Sequence, residues 1–77
     1  MKERTLSAIA RDILAHWPRP NYAAIPYIRA MAQLETVKDH YGYDPGTSIV
    51  RYFLVNAASW KGPEARRIKA ELKGLVS

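Results

Sequence analysis

The sequence has no cysteine, so neither a disulfide bond nor a thiolate metal site stabilises the fold of its 77 residues. It also lacks any apolar run near the roughly 20 residues of a membrane-spanning helix, and its charged start, Met1–Arg4, is not that of a signal peptide. Strand-like alternation and low-complexity segments are missing as well. These absences predict a single cytoplasmic domain over residues 1–77 that does not engage a membrane.

Acidic residues are scarce beside basic ones, with 7 Asp and Glu against 12 Lys and Arg, and the net charge is +5. Residues 61–77 hold five basic and two acidic side chains, a net +3, and residues 1–19 hold four and two, a net +2. Residues 20–60 are neutral, with three of each. A positively charged end of this kind attracts an acidic partner, or it is simply a solvated surface.

Apolar residues recur at helical spacing, which predicts an all-α fold, a compact bundle of about four helices. A first helix is capped by Thr5 and ended by Pro18. A second follows Asn21 and extends to about Leu34, and Pro26 either kinks it or begins it after a short turn.

A weak helical turn is expected next, ending at Gly42 in a left-handed conformation. A third, central helix, capped by Asp44, is expected from Pro45 to about Ser59, and a fourth after Gly62 and a proline. The predicted apolar core comprises Leu6, Ile9, Ile13, Ile49, Phe53, Leu54, Ile68 and Leu72, with Trp17 and Trp60 at least half covered. Leu14 is expected on the apolar face of the first helix.

Several short motifs stand out along the chain, and they are Ala24–Tyr27, Ala30–Met31, Tyr41–Asp44, Ser48–Leu54 and Trp60–Lys69. In these motifs, and so over nearly its whole length, the chain resembles a group of small proteins encoded by bacteriophages of actinobacteria. The resemblance implies a phage-encoded protein in the cytoplasm of its host cell, and it implies no particular activity.

Residues suited to catalysis are few. Asp12 and His16 stand four apart on the first helix, a spacing that can place two side chains on one metal, with Glu35, Asp39 and His40 as further ligands. An ordinary surface pair is the simpler interpretation. The sequence holds no Cys–His pair, nucleophile elbow or glycine-rich phosphate loop. We therefore predict no enzyme, no cofactor and no metal site.

The last helix carries a basic face that suits nucleic acid or an acidic partner, formed by Arg66, Arg67, Lys69 and Lys73. Small residues at Ala57–Ala58, a turn at Gly62 and an inward Ile68 suit a helix–turn–helix unit. Glu64 at the start of the helix and Glu71 at an expected core position count against it. DNA binding through this helix is therefore the alternative function.

Five tyrosines and two tryptophans are more than a core of this size encloses, and such side chains are effective interface anchors. The predicted interface residues lie in the neutral middle of the chain, and they are Tyr22, Tyr27, Tyr41 and Tyr43, with Met31 as an adaptable filler. The preferred prediction is a non-enzymatic module that binds a host or phage protein, or itself as a homodimer. The competing structural interpretation is that these tyrosines only cover the open end of the bundle.

Overall fold

Helices dominate the computed structural model, which describes residues 3–77, so that Met1 and Lys2 of the predicted domain lie outside the described part. The four α-helices of this part are α1 (Leu6–His16), α2 (Ile25–Met31), α3 (Gly46–Asn56) and α4 (Pro63–Val76). A 3-10 helix, Tyr22–Ala24, leads into α2, and strands β1 (His40–Tyr41) and β2 (Asp44–Pro45) precede α3. The predicted helical fold is confirmed, whereas the small hairpin was not predicted.

Helix α1 begins and ends where its capping residues predict. The hydroxyl of Thr5 accepts a hydrogen bond from the N–H of Ala8 at 3.1 Å, and the helix ends just before Pro18. The first two N–H groups of α1 donate to the carbonyl oxygens of Leu34 and Glu35, each at 2.9 Å. The start of α1 is thereby tied to the segment that follows α2, because these N–H groups have no acceptor within their own helix.

Helix α2 follows the second of the two possibilities for Pro26, a short turn and then a new helix. The side chain of Asn21 caps the 3-10 helix by accepting from the N–H of Ala23 at 3.2 Å. The helix ends at Met31, short of the predicted Leu34, because the Leu34 N–H closes a tighter turn onto the Met31 carbonyl at 3.1 Å.

The segment predicted as a helical turn before Gly42 instead forms an antiparallel hairpin, in which Tyr41 pairs with Asp44. Gly42 has a φ of +65°, as predicted for a left-handed residue, but it turns the hairpin at the first position of a two-residue loop. Asp44 therefore lies in a strand and does not cap a helix. Helix α3 begins one residue late, at Gly46, and ends three residues early, at Asn56.

The core lies between α1, α2, α3 and α4, and its large buried side chains are Leu6, Ile9, Ile13, Ile28, Met31, Leu34, Ile49, Val50, Phe53, Trp60, Ile68 and Leu72. Trp17 is partly buried; its ring stacks on Trp60 with centroids 5.1 Å apart and meets Phe53 edge-on at 6.4 Å. The predicted core is confirmed except at Leu54, which is only partly buried. Leu14, expected on the apolar face of α1, is instead half exposed. Within residues 3–77, no helix combines the length and apolarity needed to cross a bilayer.

Candidate functional site

Apolar side chains gather on the surface where α2 and the 3-10 helix pack against α3, and we call this surface the aromatic face. Its members are Tyr22, Tyr27, Tyr52 and Val55. The rings of Tyr27 and Tyr52 lie 5.6 Å apart, with Tyr27 partly buried beneath. Tyr52 is 52% exposed, Val55 73% and Tyr22 88%. The adjacent Asn21 donates from Nδ2 to the Asn56 carbonyl at 3.2 Å, which holds the 3-10 helix at the end of α3.

Helical periodicity explains why α3 presents apolar side chains on two sides. Ile49, Val50 and Phe53 lie on one side of α3, and this side is buried in the core. Tyr52 and Val55 are three residues apart and fall on the other side. Helix α3 packs against α2 and α4, as expected of a central helix, but its second apolar side meets solvent and is not covered.

The predicted cluster of four tyrosines is divided in the structure. Tyr43 is fully exposed at the tip of the hairpin and Tyr41 is 42% exposed beside it. The hairpin runs directly into the first residue of α3, an 11-residue helix about 16 Å long, so both lie at the end opposite to Tyr22. Met31 is fully buried on the inner side of α2, three residues after Ile28, so its predicted role as a surface filler is wrong.

An ion-pair network joins α1 to α4 and takes up one residue of the predicted basic face. Arg67 pairs with Asp12 at 3.1 Å and with Glu64 on its own helix at 2.6 Å. Arg4 pairs with the same Asp12 at 2.9 Å and also with Glu71. The hydrogen bond from Arg67, and then that from Arg4, lowers the pKa of Asp12, since both stabilise its charged form. Arg67 therefore belongs to this network and not to an outward basic row.

Three of the five possible metal ligands, Asp12, His16 and Asp39, have side chains engaged in other contacts. His16 lies with Nδ1 at 2.9 Å from Oδ1 of Asp12, inside the ion-pair network. The carboxylate of Asp39 accepts from the N–H groups of Glu35 and Thr36, both at 3.0 Å. Among residues 3–77 no group of three His, Asp or Glu side chains is arranged to hold a metal ion. The structure thus brings the side chains of Asp12 and His16 into contact on α1.

The other predicted cations of α4 form a second surface with Lys61, which we call the basic strip: Lys61, Arg66, Lys69 and Lys73. Nζ of Lys69 donates to the carbonyl oxygen of Trp60 at 2.6 Å and lies 6.0 Å from the centroid of its ring. Burial, and then the charges of Lys61 and Lys73, lower the pKa of Lys69. The strip lines a shallow groove of about 340 Å³, completed by Trp60, Gly62, Ala65 and Ala70.

The helix–turn–helix arrangement is present only in outline. Ala57 and Ile68 are buried, as that unit requires. The connection between α3 and α4 spans residues 57–62, six residues where the unit has about three or four. Glu71 avoids the core by pairing with Arg4.

Sequence reasoning did not assign Tyr52, Val55 or Lys61 to a functional surface. The signal for the first two was their position off the buried side of a helix that still carries apolar residues there. For Lys61 the sequence signal was its place among the five cations of residues 61–77. Comparisons with protein-family models, curated proteins and solved structures find no match to this chain.

Proposed function

We propose that this chain is a non-enzymatic, phage-type interaction module of the host cytoplasm, and that its aromatic face binds a protein partner. The partner is a host or phage protein or a second copy of the chain. The observation that carries the proposal is the exposure of Tyr52 and Val55, one turn apart on α3, and of Tyr22 on the 3-10 helix that Asn21 ties to the end of α3. Large apolar side chains grouped on one surface are typical of interaction sites.

The packing of Tyr52 suits it to be the central contact. Its ring rests against the partly buried Tyr27, which limits its motion before any partner arrives. A pre-organised aromatic side chain loses less entropy on binding, and a buried tyrosine is a common hot spot worth about 2 kcal/mol or more. Polar groups of Asn21 and Asn56 lie beside this apolar surface, as in the polar rim of an interface.

Paired surface variants test this proposal. Tyr52→Ser combined with Val55→Ser removes the exposed centre of the face without touching a buried residue, and Leu14→Ser removes a comparably exposed apolar side chain on α1. Thermal melts of all three proteins first establish that each is folded. Sedimentation equilibrium then measures self-association, and nuclease-treated lysate capture with covalent cross-linking identifies any other partner.

We expect a dimer or a captured protein with the wild type and with Leu14→Ser, and its loss with the double variant. A wild type that stays monomeric at all concentrations and yields the same cross-linked proteins as the double variant would refute the proposal.

The alternative, a helix–turn–helix DNA-binding protein, has less support. The six-residue connection before α4 and the engagement of Arg67 by Asp12 and Glu64 both depart from an outward recognition helix. Selection from a pool of random duplexes tests it directly. Enrichment of one sequence motif would favour this alternative over the interaction module.

A further inference from the structure

One flank of α4 carries charges of both signs, and the other carries only cations. Glu64, Arg67 and Glu71 recur at i, i+3 and i+7 and face α1, where they form ion pairs with its residues and with Arg4. Arg66, Lys69 and Lys73 recur at the same spacing on the other flank, and Lys61 precedes them in the chain. No ion pair within residues 3–77 includes a member of this basic strip. Both carboxylates of the helix are therefore used on the opposite flank.

The members of the strip repel one another. The charges of Lys61 and Lys73 both disfavour the protonated form of Lys69, whose amine is already partly buried against Trp60. Such an arrangement stores an unfavourable electrostatic energy that an anion lying along the groove would relieve.

The length of the strip suits an extended polyanion. Arg66 and Lys73 are seven residues apart, which along a helix is about 10 Å. This is the axial length of about three nucleotides in one strand of duplex DNA. A row of cations of this length therefore matches successive phosphates better than it matches a single phosphate group.

Composition separates a nucleic acid from an acidic protein as the occupant. Three of the four members are lysines, a residue type depleted in protein–protein interfaces and common in contacts to nucleic acid phosphates. The strip also lacks an aromatic anchor, since Trp60 is only 5% exposed and its ring is stacked on Trp17. Small residues, Ala65 and Ala70, line the remainder of the groove.

We infer that the basic strip, Lys61, Arg66, Lys69 and Lys73, binds the phosphodiester backbone of nucleic acid without reading its base sequence. This site is separate from the aromatic face, and it requires no recognition helix in a groove of DNA. The strip differs from the basic face predicted from the sequence in that it includes Lys61 and omits Arg67, because Arg67 is paired with Asp12 and Glu64.

The test measures duplex binding at increasing salt concentrations. Fluorescence anisotropy of two short labelled duplexes of unrelated sequence reports the binding. Four neutralised phosphates predict a slope of about −3.6 in log affinity against log salt, a loss of about 150-fold between about 50 and about 200 mM. The strip variant carries glutamine at all four positions. The control carries glutamine at four exposed cations elsewhere, Arg11, Arg19, Arg29 and Lys38, and so has the same net charge.

We expect the affinities of the wild type and of the control for the two duplexes all to agree within about threefold. The strip variant should bind both duplexes at least about tenfold more weakly, with a shallow salt slope. Any of the following direct-binding results would overturn the inference: no wild-type binding at the lowest salt, equal losses in the strip variant and the control, or a strong preference for one duplex. Polyglutamate of equal charge serves as competitor. If polyglutamate displaces the labelled duplex as efficiently as unlabelled duplex does, the inference is also overturned, in favour of an acidic protein partner.

Discussion

Substituting Gly46 by alanine tests a close approach of two backbone segments. A Cβ built at this position lies 2.8 Å from both the Cα and the carbonyl oxygen of Val37. Those atoms cannot easily move away, because the N–H of Gly46 donates to the Asp39 carbonyl at 2.7 Å and the N–H of Thr47 donates to the Val37 carbonyl at 3.2 Å. The start of α3 is therefore held against the segment before the hairpin, with no room for a methyl group.

The magnitude follows from two opposing effects. Overpacking of this kind reduces the free energy of unfolding by about 1–3 kcal/mol. Loss of glycine's freedom in the unfolded chain offsets about 0.4–1 kcal/mol of this. The net reduction of about 1–2 kcal/mol lowers Tm by about 5–15 °C in a domain of this size.

Gly74→Ala is the matched control for this experiment. Gly74 lies in α4 with no atom within 4 Å of a built Cβ, so alanine should raise helix stability by about 0.5 kcal/mol. Thermal melts followed by circular dichroism compare the three proteins, and urea melts check that the slope of each transition is unchanged. A Tm for Gly46→Ala equal to or above that of the wild type would refute the reasoning.

Three further predictions concern the core and the two charged clusters. Phe53→Ala, at a fully buried position, should reduce the free energy of unfolding by about 3–5 kcal/mol in urea melts, and a nearly unchanged melt would contradict its central place. Asp12 has its pKa lowered chiefly by Arg67, so its stabilising effect is present above its unfolded pKa of about 3.9 and is lost as pH falls through the folded value. The Tm difference between wild type and Asp12→Asn should therefore shrink between about pH 6 and about pH 3, and a constant difference would contradict this. Lys61→Gln should raise the pKa of Lys69, measured by NMR with labelled lysine, because one repelling charge is removed; an unchanged value would show that the two amines are not close.

Much of the fold could be predicted from local sequence signals. The hydroxyl of Thr5, the ring of Pro18 and the run of apolar residues in α1 act over one or two helical turns, and the structure confirms each of them. The same is true of the spacing that buries Ile68 and Leu72 in α4. Such features depend on backbone geometry and side-chain period, which a chain carries wherever it folds.

Tertiary contacts decided the remainder. The hairpin at Gly42 forms where a left-handed glycine suits a helix end and a tight turn equally, and only cross-strand pairing distinguishes the two. Leu14 and Met31 both lie among the apolar residues of their helices, yet the packing of the bundle leaves Leu14 half exposed and Met31 fully buried.

The candidate surfaces show the same division. Composition identified an excess of tyrosine and a basic last helix, and both are properties of the sequence alone. Which tyrosines share a surface depended on how α2 packs against α3, which brings Tyr27 to Tyr52. Which cations stay without an ionic partner depended on Asp12, 55 residues away from Arg67 in the chain. Charge neutralisation acts through space over a few ångströms, so its partners are set by the packing of helices and cannot be read from sequence distance.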